Sequence, residues 1–404
     1  MNFTRALFVV SMILLQSGVS YYISFQTIAL LIIFGLVIKY CKGLNFKTQD
    51  FFACTLFVAF TVFTAVQAPD VVSSNSDNFL LTMLALVFYS GLIFFMPLLV
   101  FSNPLRILGF FHKVSKWLII SLLGILILSE SGIIPTLNRE SLRLQNASLI
   151  SNNSELISII ETMALNLKLN LSERIDLFYG EPSYLVLILF TSLSCFMISK
   201  KTIKKLQFLG SDEISINEDR HIPILAIMGM LYIQSLSSVF YSAILIYFLF
   251  RGQLMKKKLL FRNIAILVVL ALAFSYFMYD YLLSRLAEGS GLSFYQRFGW
   301  VVDLNMSTIL TGLKDSNLLM NEGIHNGLIY IVIISGIGGV FYVFRILRNV
   351  YFQADKLEYG SLGILVMLAI IMQNGAIFSI NKIVIASLIL FPLACTRNML
   401  KNNK

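Results

Sequence analysis

Residues 222–250 read IPILAIMGMLYIQSLSSVFYSAILIYFLF, an apolar run with basic clusters on both sides. As one helix it would be about 43 Å long at 1.5 Å per residue, well beyond the roughly 30 Å hydrocarbon layer of a bilayer. Lys200, Lys201, Lys204 and Lys205 precede it, and Arg251, Lys256, Lys257, Lys258 and Arg262 follow it. Positive charge marks the cytoplasmic ends of spans, so basic flanks on both sides ask for an even number of crossings. The run therefore reads as two short helices, 222–234 and 238–250, turning at Gln234-Ser235-Leu236-Ser237-Ser238. Each would be about 20 Å long. Short helices meeting at a polar turn are tolerated where they line a water-filled cavity rather than lipid.

Outward from this pair, further apolar runs occupy 22–38, 51–67, 79–101, 115–129, 182–198, 263–281, 324–344, 361–378 and 382–396. Ala6–Ser17 is shorter. Arg5 before it and Ser17, Gly18 and Ser20 after it also suit a cleaved signal peptide. The apolar run that follows at once favours an uncleaved first helix in a helical hairpin. The expectation is an all-α, polytopic integral membrane bundle of about 12 transmembrane helices forming a single domain over 1–404, with both termini cytoplasmic. All but eight of the 31 Lys and Arg residues then fall on the cytoplasmic side. The eight on the outer side are Arg139, Arg143, Lys168, Arg174, Arg285, Arg297, Lys314 and Lys382.

Composition agrees, with 57% hydrophobic and only 13% charged residues over 404 positions. A soluble chain could not hide so much apolar surface. The net charge of +10 is mostly the orientation signal and gives no reason to invoke nucleic acid. Cys41, Cys54, Cys195 and Cys395 lie within spans or at their cytoplasmic ends, so neither a disulfide framework nor a metal spacing is expected. There is no Gly-rich phosphate loop, no D-x-D pair and no internal repeat, which argues against a cytosolic nucleotide-sugar site. Span interiors read as almost free of ionisable residues. Transporters usually carry such residues or show repeated halves.

Two outer segments are large, 130–181 and 282–323. In the first, Leu156, Ile160, Met163, Leu167, Leu171, Ile175 and Phe178 recur at helical spacing, as an amphipathic helix on the membrane or over the bundle mouth would require. In the second, Ser293–Leu310 sets Phe294, Phe298, Val301, Val302 and Ile309 among polar residues, a second flat amphipathic helix. The loop from Ser199 to His221 is basic and then acidic, the pattern of a solvated connector. His112 and His221 read as cytoplasmic loop residues, leaving His325 as the one histidine at the outer face.

Chemistry-bearing residues concentrate at the outer ends of spans. Arg174, Arg285 and Arg297 hold their charge at any working pH and can fork onto phosphate oxygens, although snorkelling toward anionic lipid explains single arginines equally well. In Arg174-Ile-Asp-Leu-Phe-Tyr-Gly180-Glu181-Pro182-Ser183, Pro182 suits the first position of a helix. The free amides of that first turn would face outward as an anion site. Glu181 is then either a capping carboxylate or an acid/base group. His325, in Asn321-Glu322-Gly323-Ile324-His325-Asn326-Gly327, can accept a proton near neutral pH.

Taken together, Arg174-x5-Gly180-Glu181-Pro182-Ser183 before a span, Arg297-x2-Trp300 leading to Gly312, and His325-Asn326 opening a span that contains Gly336 resemble the bacterial O-antigen polymerase (Wzy-type) and O-antigen ligase group. The resemblance implies a metal-independent and cofactor-free glycosyltransferase of the bacterial inner membrane, acting at the periplasmic face in polysaccharide biosynthesis. Its substrate would be an undecaprenyl-diphosphate-linked oligosaccharide held among membrane lipids, and a chain-length regulator protein is the implied partner. In that reading His325 and Glu181 are catalytic, Arg174, Arg285 and Arg297 bind the donor diphosphate, and Asn326, Gly312, Trp300 and Ser183 support them. Ligation of the glycan to lipid A core and flipping of the lipid-linked oligosaccharide remain the alternatives.

Overall fold

The computed structural model describes residues 3–15, 24–67, 79–131, 182–207, 219, 221–233, 235–254, 306–312, 327–354, 360–373 and 379–402. They form the helices α1 (Phe3–Ile13), α2 (Phe25–Tyr40), α3 (Thr48–Gln67), α4 (Phe79–Phe95), α5 (Pro104–Glu130) and α6 (Pro182–Gln207). The chain continues with α7 (His221–Tyr232), α8 (Leu236–Leu254), α9 (Met306–Thr311), α10 (Gly327–Ala354), α11 (Gly360–Met372) and α12 (Ile380–Asn402). Five of them, α3, α5, α6, α10 and α12, are long and apolar enough to cross a membrane, the makeup of a multi-pass helical membrane protein.

The run at 222–250 folds as the parity argument requires. Helices α7 and α8 meet at a serine turn in which the Ser238 amide donates to Ser235 Oγ at 3.1 Å and the Ser238 hydroxyl donates to the Ser235 carbonyl at 2.6 Å. Both helices pack against α6 rather than standing alone in lipid. The short first helix and its hairpin partner also form, as α1 against α2. The Ser24 hydroxyl accepts from the Thr27 amide at 3.2 Å and so caps the free end of α2.

Several boundaries differ from the hydropathy reading. Helix α4 stops at Phe95, because Pro97 starts a 3-10 turn at Met96–Leu98 that hands the chain to a strand. That strand, β2 (Leu99–Phe101), pairs antiparallel with β1 (Cys41–Leu44), a two-stranded clip that the all-α expectation lacked. Helix α5 starts at Pro104, well before position 115, because Asn103 caps it by accepting from the Arg106 amide at 3.1 Å and Pro104 suits the first turn. His112 is therefore a buried helix residue and not a loop residue. It stacks on Phe196 with ring centroids 4.8 Å apart, and its Nδ1 lies 3.0 Å from the Ser199 hydroxyl. The Ser199 hydroxyl donates to the Cys195 carbonyl at 2.6 Å, so it accepts from His112 Nδ1–H. The predicted span at 263–281 and the amphipathic helix of the first outer segment lie outside the described residues. Of Ser293–Leu310 only the part in α9 is described.

Packing is centred on α6, which contacts α5, α8, α11 and α12. Outer surfaces are apolar, with Phe51, Phe52, Phe63 and Val66 on α3 and Ile224, Leu225 and Met228 on α7 all exposed, as lipid contact demands. The two ends of the bundle differ in charge. Lys39, Lys47, Arg106, Lys116, Lys204, Arg345 and Arg348 gather at one end. The opposite end holds the starts of α6, α10 and α12 and the end of α11, and we call it the mouth. Among the described side chains, Lys382 is the one basic group there.

Helices α3 and α10 run antiparallel in the most extensive pairing of the bundle. At the basic end the Arg345 guanidinium donates to Asp50 Oδ1 through Nε at 3.1 Å and Nη2 at 2.5 Å, and to Gln49 Oε1 at 2.9 Å. Asn349 Nδ2 adds a further bond to Asp50 Oδ1 at 3.0 Å. Asp50 is fully buried and Arg345 only 2% exposed. Four ionisable residues are buried in helices, Asp50, His112, Arg345 and Lys382, and each lies just outside a span read from the sequence or, for Lys382, at its first residue. Halfway along, Phe57 stacks on Tyr342 at 4.4 Å between ring centroids.

Removing one member of such a buried pair leaves an uncompensated charge, at a cost of about 3–5 kcal/mol. Asp50→Ala should therefore lower the thermal midpoint of the purified protein strongly. The double variant Asp50→Ala with Arg345→Met should recover most of that loss, a comparison that thermal unfolding in detergent reads directly.

Candidate functional site at the bundle mouth

Helix α6 begins at Pro182, as its suitability for a first turn suggests. The next residue, Ser183, accepts a hydrogen bond from Gln373 Nε2 at 2.9 Å, which joins the start of α6 to the end of α11. The Gln373 carbonyl in turn accepts from Lys382 Nζ at 2.7 Å, which joins the end of α11 to the start of α12. Ser379 caps α12, with its hydroxyl 3.4 Å from the Lys382 amide. Lys382 is fully buried, Gln373 is buried and Ser183 is half-buried. Beside Lys382 the side-chain oxygen of Asn381 is buried with no hydrogen-bond partner.

A second polar feature lies where α9 meets α10. Helix α10 is interrupted at Gly336, whose φ of 50° and ψ of −138° belong to a region that only glycine enters freely. Helix α9 ends at Gly312, with φ of 86°. The two glycines touch. A Cβ on Gly336 would sit 2.7 Å from both the Gly312 amide nitrogen and the Leu310 carbonyl. A Cβ on Gly312 would strike the Thr64 hydroxyl and lie 3.0 Å from the Ile333 carbonyl. The Thr64 hydroxyl reaches the Thr311 carbonyl at 3.4 Å. A span can be broken in this way only where protein or a water-filled cavity covers the freed backbone groups.

Of the residues singled out in the sequence, Ser183 and Gly312 are placed. Gly312 meets Gly336, so two glycines read as parts of one pattern along the chain are in contact in space. His325, Glu181, Arg174, Arg285, Arg297, Asn326 and Trp300 lie outside the described residues. His325 and Asn326 directly precede the first residue of α10, and Glu181 directly precedes that of α6. Sequence reasoning missed Gln373, Thr64 and the role of Lys382. The available signal for Lys382 was a basic residue heading an otherwise apolar run, and it counted only as one of several outer charges. Among the described residues no three His, Cys, Asp or Glu side chains come together as metal ligands would.

No family model, no curated protein and no solved structure matches the chain.

The glycine contact gives a direct test. Gly336→Ala combines a backbone strain of about 1–3 kcal/mol with a clash against Gly312 and should lower the thermal midpoint and the yield of monodisperse protein. Gly35→Ala in α2 has nothing within 4 Å of its new Cβ and should behave as wild type in the same size-exclusion and melting assays.

Proposed function

We propose that the protein is a polysaccharide polymerase of the bacterial inner membrane. It would transfer a glycan from one undecaprenyl diphosphate to a hydroxyl of a second lipid-linked repeat unit at the periplasmic face. The observation that carries this reading is the mouth. The first turns of α6 and α12 are tied together through Ser183, Gln373 and Lys382, and the segments Arg174–Ser183 and His325–Asn326 lead into α6 and α10 at the same end.

In the reaction the bond between the sugar anomeric carbon and the diphosphate oxygen breaks, and a bond from the acceptor hydroxyl oxygen to that carbon forms. Undecaprenyl diphosphate leaves with the bonding electron pair, and no general acid is needed where cations stabilise its charge. Arg174, Arg285 and Arg297 have that role. The acceptor proton goes to His325 or Glu181, and Asn326 orients the imidazole or a sugar hydroxyl. Trp300, Gly312 and Ser183 have a supporting role, the two prenyl tails would lie in apolar grooves between spans, and a chain-length regulator would dock on the finished assembly.

Buried charges would also suit a flippase. Asp50 and Arg345, however, neutralise each other at the basic end, far from the mouth, and brace two helices. The surface glycan of a deletion strain separates the readings. A polymerase predicts one repeat unit per lipid anchor. Lipid-linked units held on the cytoplasmic leaflet would identify a flippase, and long chains left on the polyprenyl carrier would identify a ligase.

A positioned base contributes about 10²–10⁴-fold, so His325→Ala should nearly abolish polymerisation of synthetic lipid-linked units by purified protein. His325→Gln keeps a hydrogen bond but cannot take the proton. A near-wild-type rate with an unchanged pH profile in that variant would remove His325 as the base and leave Glu181.

A further inference from the structure

A hydroxyl buried in a membrane helix ordinarily donates to a carbonyl three or four residues earlier on its own helix. Ser11, Thr61, Ser335, Ser387 and Thr396, on α1, α3, α10 and α12, all do so, with oxygens 2.6–2.8 Å apart. At the basic end of α6, Ser199 and Thr202 follow the same rule. Among the described residues six buried hydroxyls do not, and they fall on three helices, α5, α6 and α8. They are Ser115 and Ser129 on α5, Thr191, Ser192 and Ser194 on α6, and Ser242 on α8, and none has an oxygen or nitrogen partner. Helix α6 packs against both of the others.

Two of the six meet across one seam. Ser192, Phe196 and Ser199 form a single stripe of α6, at i, i+4 and i+7. Phe196 and Ser199 both touch His112 of α5, so Ser192 faces α5 as well. The helices run antiparallel. Ser115 lies three residues beyond His112, about 4.5 Å along α5, and Ser192 lies four residues before Phe196, about 6 Å along α6, so the two hydroxyls reach the same level. Cys195 marks the same place, because its thiol donates to the Phe111 carbonyl at 3.8 Å and its sulfur lies beside Ser115. That Phe111 carbonyl is the one Ser115 would use for a bond to its own helix, and a sulfur is a weak acceptor. Ser115, Ser192 and Cys195 are all fully enclosed.

Such hydroxyls are costly in an apolar interior unless something bonds them. Each can both give and take a hydrogen bond, they stand on facing helices, and no direct bond joins them. The occupant that suits an enclosed place of this kind is small and is itself both donor and acceptor. We propose that Ser115 and Ser192 hold a buried water molecule in the seam between α5 and α6, beside Cys195. The water bonds α5 to α6 at this level, as the ion pair bonds α3 to α10 at the basic end. The site does not depend on the polymerase reading.

The test uses full-length protein in lipid nanodiscs exposed to a millisecond X-ray pulse. Bound water yields hydroxyl radicals in place, and these oxidise a neighbouring thiol that radicals from bulk solvent do not reach. Mass spectrometry reads the oxidation of each cysteine. Cys195 and Cys395 are both fully buried, but Cys395 adjoins Thr396, whose hydroxyl is bonded within its helix. Cys195 should oxidise severalfold faster than Cys395. Ser192→Ala should bring the two rates together and lower the thermal midpoint, because the water loses an anchor and Ser115 is left unbonded. In a dry seam the same substitution removes an unpaired hydroxyl and raises the midpoint. Ser115→Ala combined with Ser192→Ala should lose no more than either change alone, since one water serves both. Equal oxidation of the two thiols in wild type would overturn the proposal, and so would a midpoint unchanged or raised in both single variants.

Discussion

The buried ion pair between Arg345 and Asp50 sets the register on which the rest of the bundle depends. Both groups are removed from water, so they are tolerable only in contact, and contact is possible for only one axial alignment of α10 against α3. Gln49 and Asn349 complete the bonding of the two charges, which fixes rotation as well as height. From that anchor the pairing runs along both helices, through Phe57 on Tyr342 and Gly338 against the Leu56 backbone, to Thr64 and the glycine contact at the far side. A slip of one turn would separate the charges and push a side chain into the place that only glycine can occupy. Charge at one end and absence of a side chain at the other thus specify the same alignment.

That alignment has a consequence at the break in α10. An unbroken helix would satisfy its backbone internally and offer no polar group to its neighbours. Interrupting it at Gly336 places Ile333 and Leu310 carbonyls and the Thr64 hydroxyl near one another inside an apolar bundle. Helix α9 is too short to be stable alone and is held by seating its end on this break. The end of α9 at Leu310 and Gly312 is therefore anchored to α10 by backbone contact, and in the sequence His325 and Asn326 stand just ahead of α10.

The membrane character and most helices were legible in the sequence because a bilayer permits few backbone solutions, and apolar runs of the right length announce them. The even-crossing reading of 222–250 succeeded for a different reason. It used charge on the flanks, which constrains topology independently of hydropathy. Boundaries failed where local chemistry overrode the apolar count. Asn103 and Pro104 start a helix in polar sequence, and Pro97 ends one in apolar sequence. His112 reads as a loop residue because the helix that holds it begins beside basic residues, and its burial depends on Phe196 and Ser199, some eighty positions away. Asp50 and Arg345 are nearly three hundred positions apart, and each looks like an ordinary flanking charge until the fold brings them together. Gly312 was legible as a turn, but not as the partner of Gly336, since nothing in a linear pattern states that two glycines face each other.

The two ends of the bundle handle charge in opposite ways. At the basic end, cations are numerous, mostly near solvent, and the buried one is neutralised by a carboxylate from a neighbouring helix. At the mouth, the described protein offers one cation, and it is buried with helix starts around it. That cation is held by the carbonyl at the end of α11, and the same residue's side-chain amide reaches Ser183 at the start of α6, so three helix ends are joined by hydrogen bonds where the basic end is joined by an ion pair. Both ends of the bundle are therefore braced across helices that are distant in sequence, one by charge and the other by hydrogen bonds to backbone and hydroxyl groups.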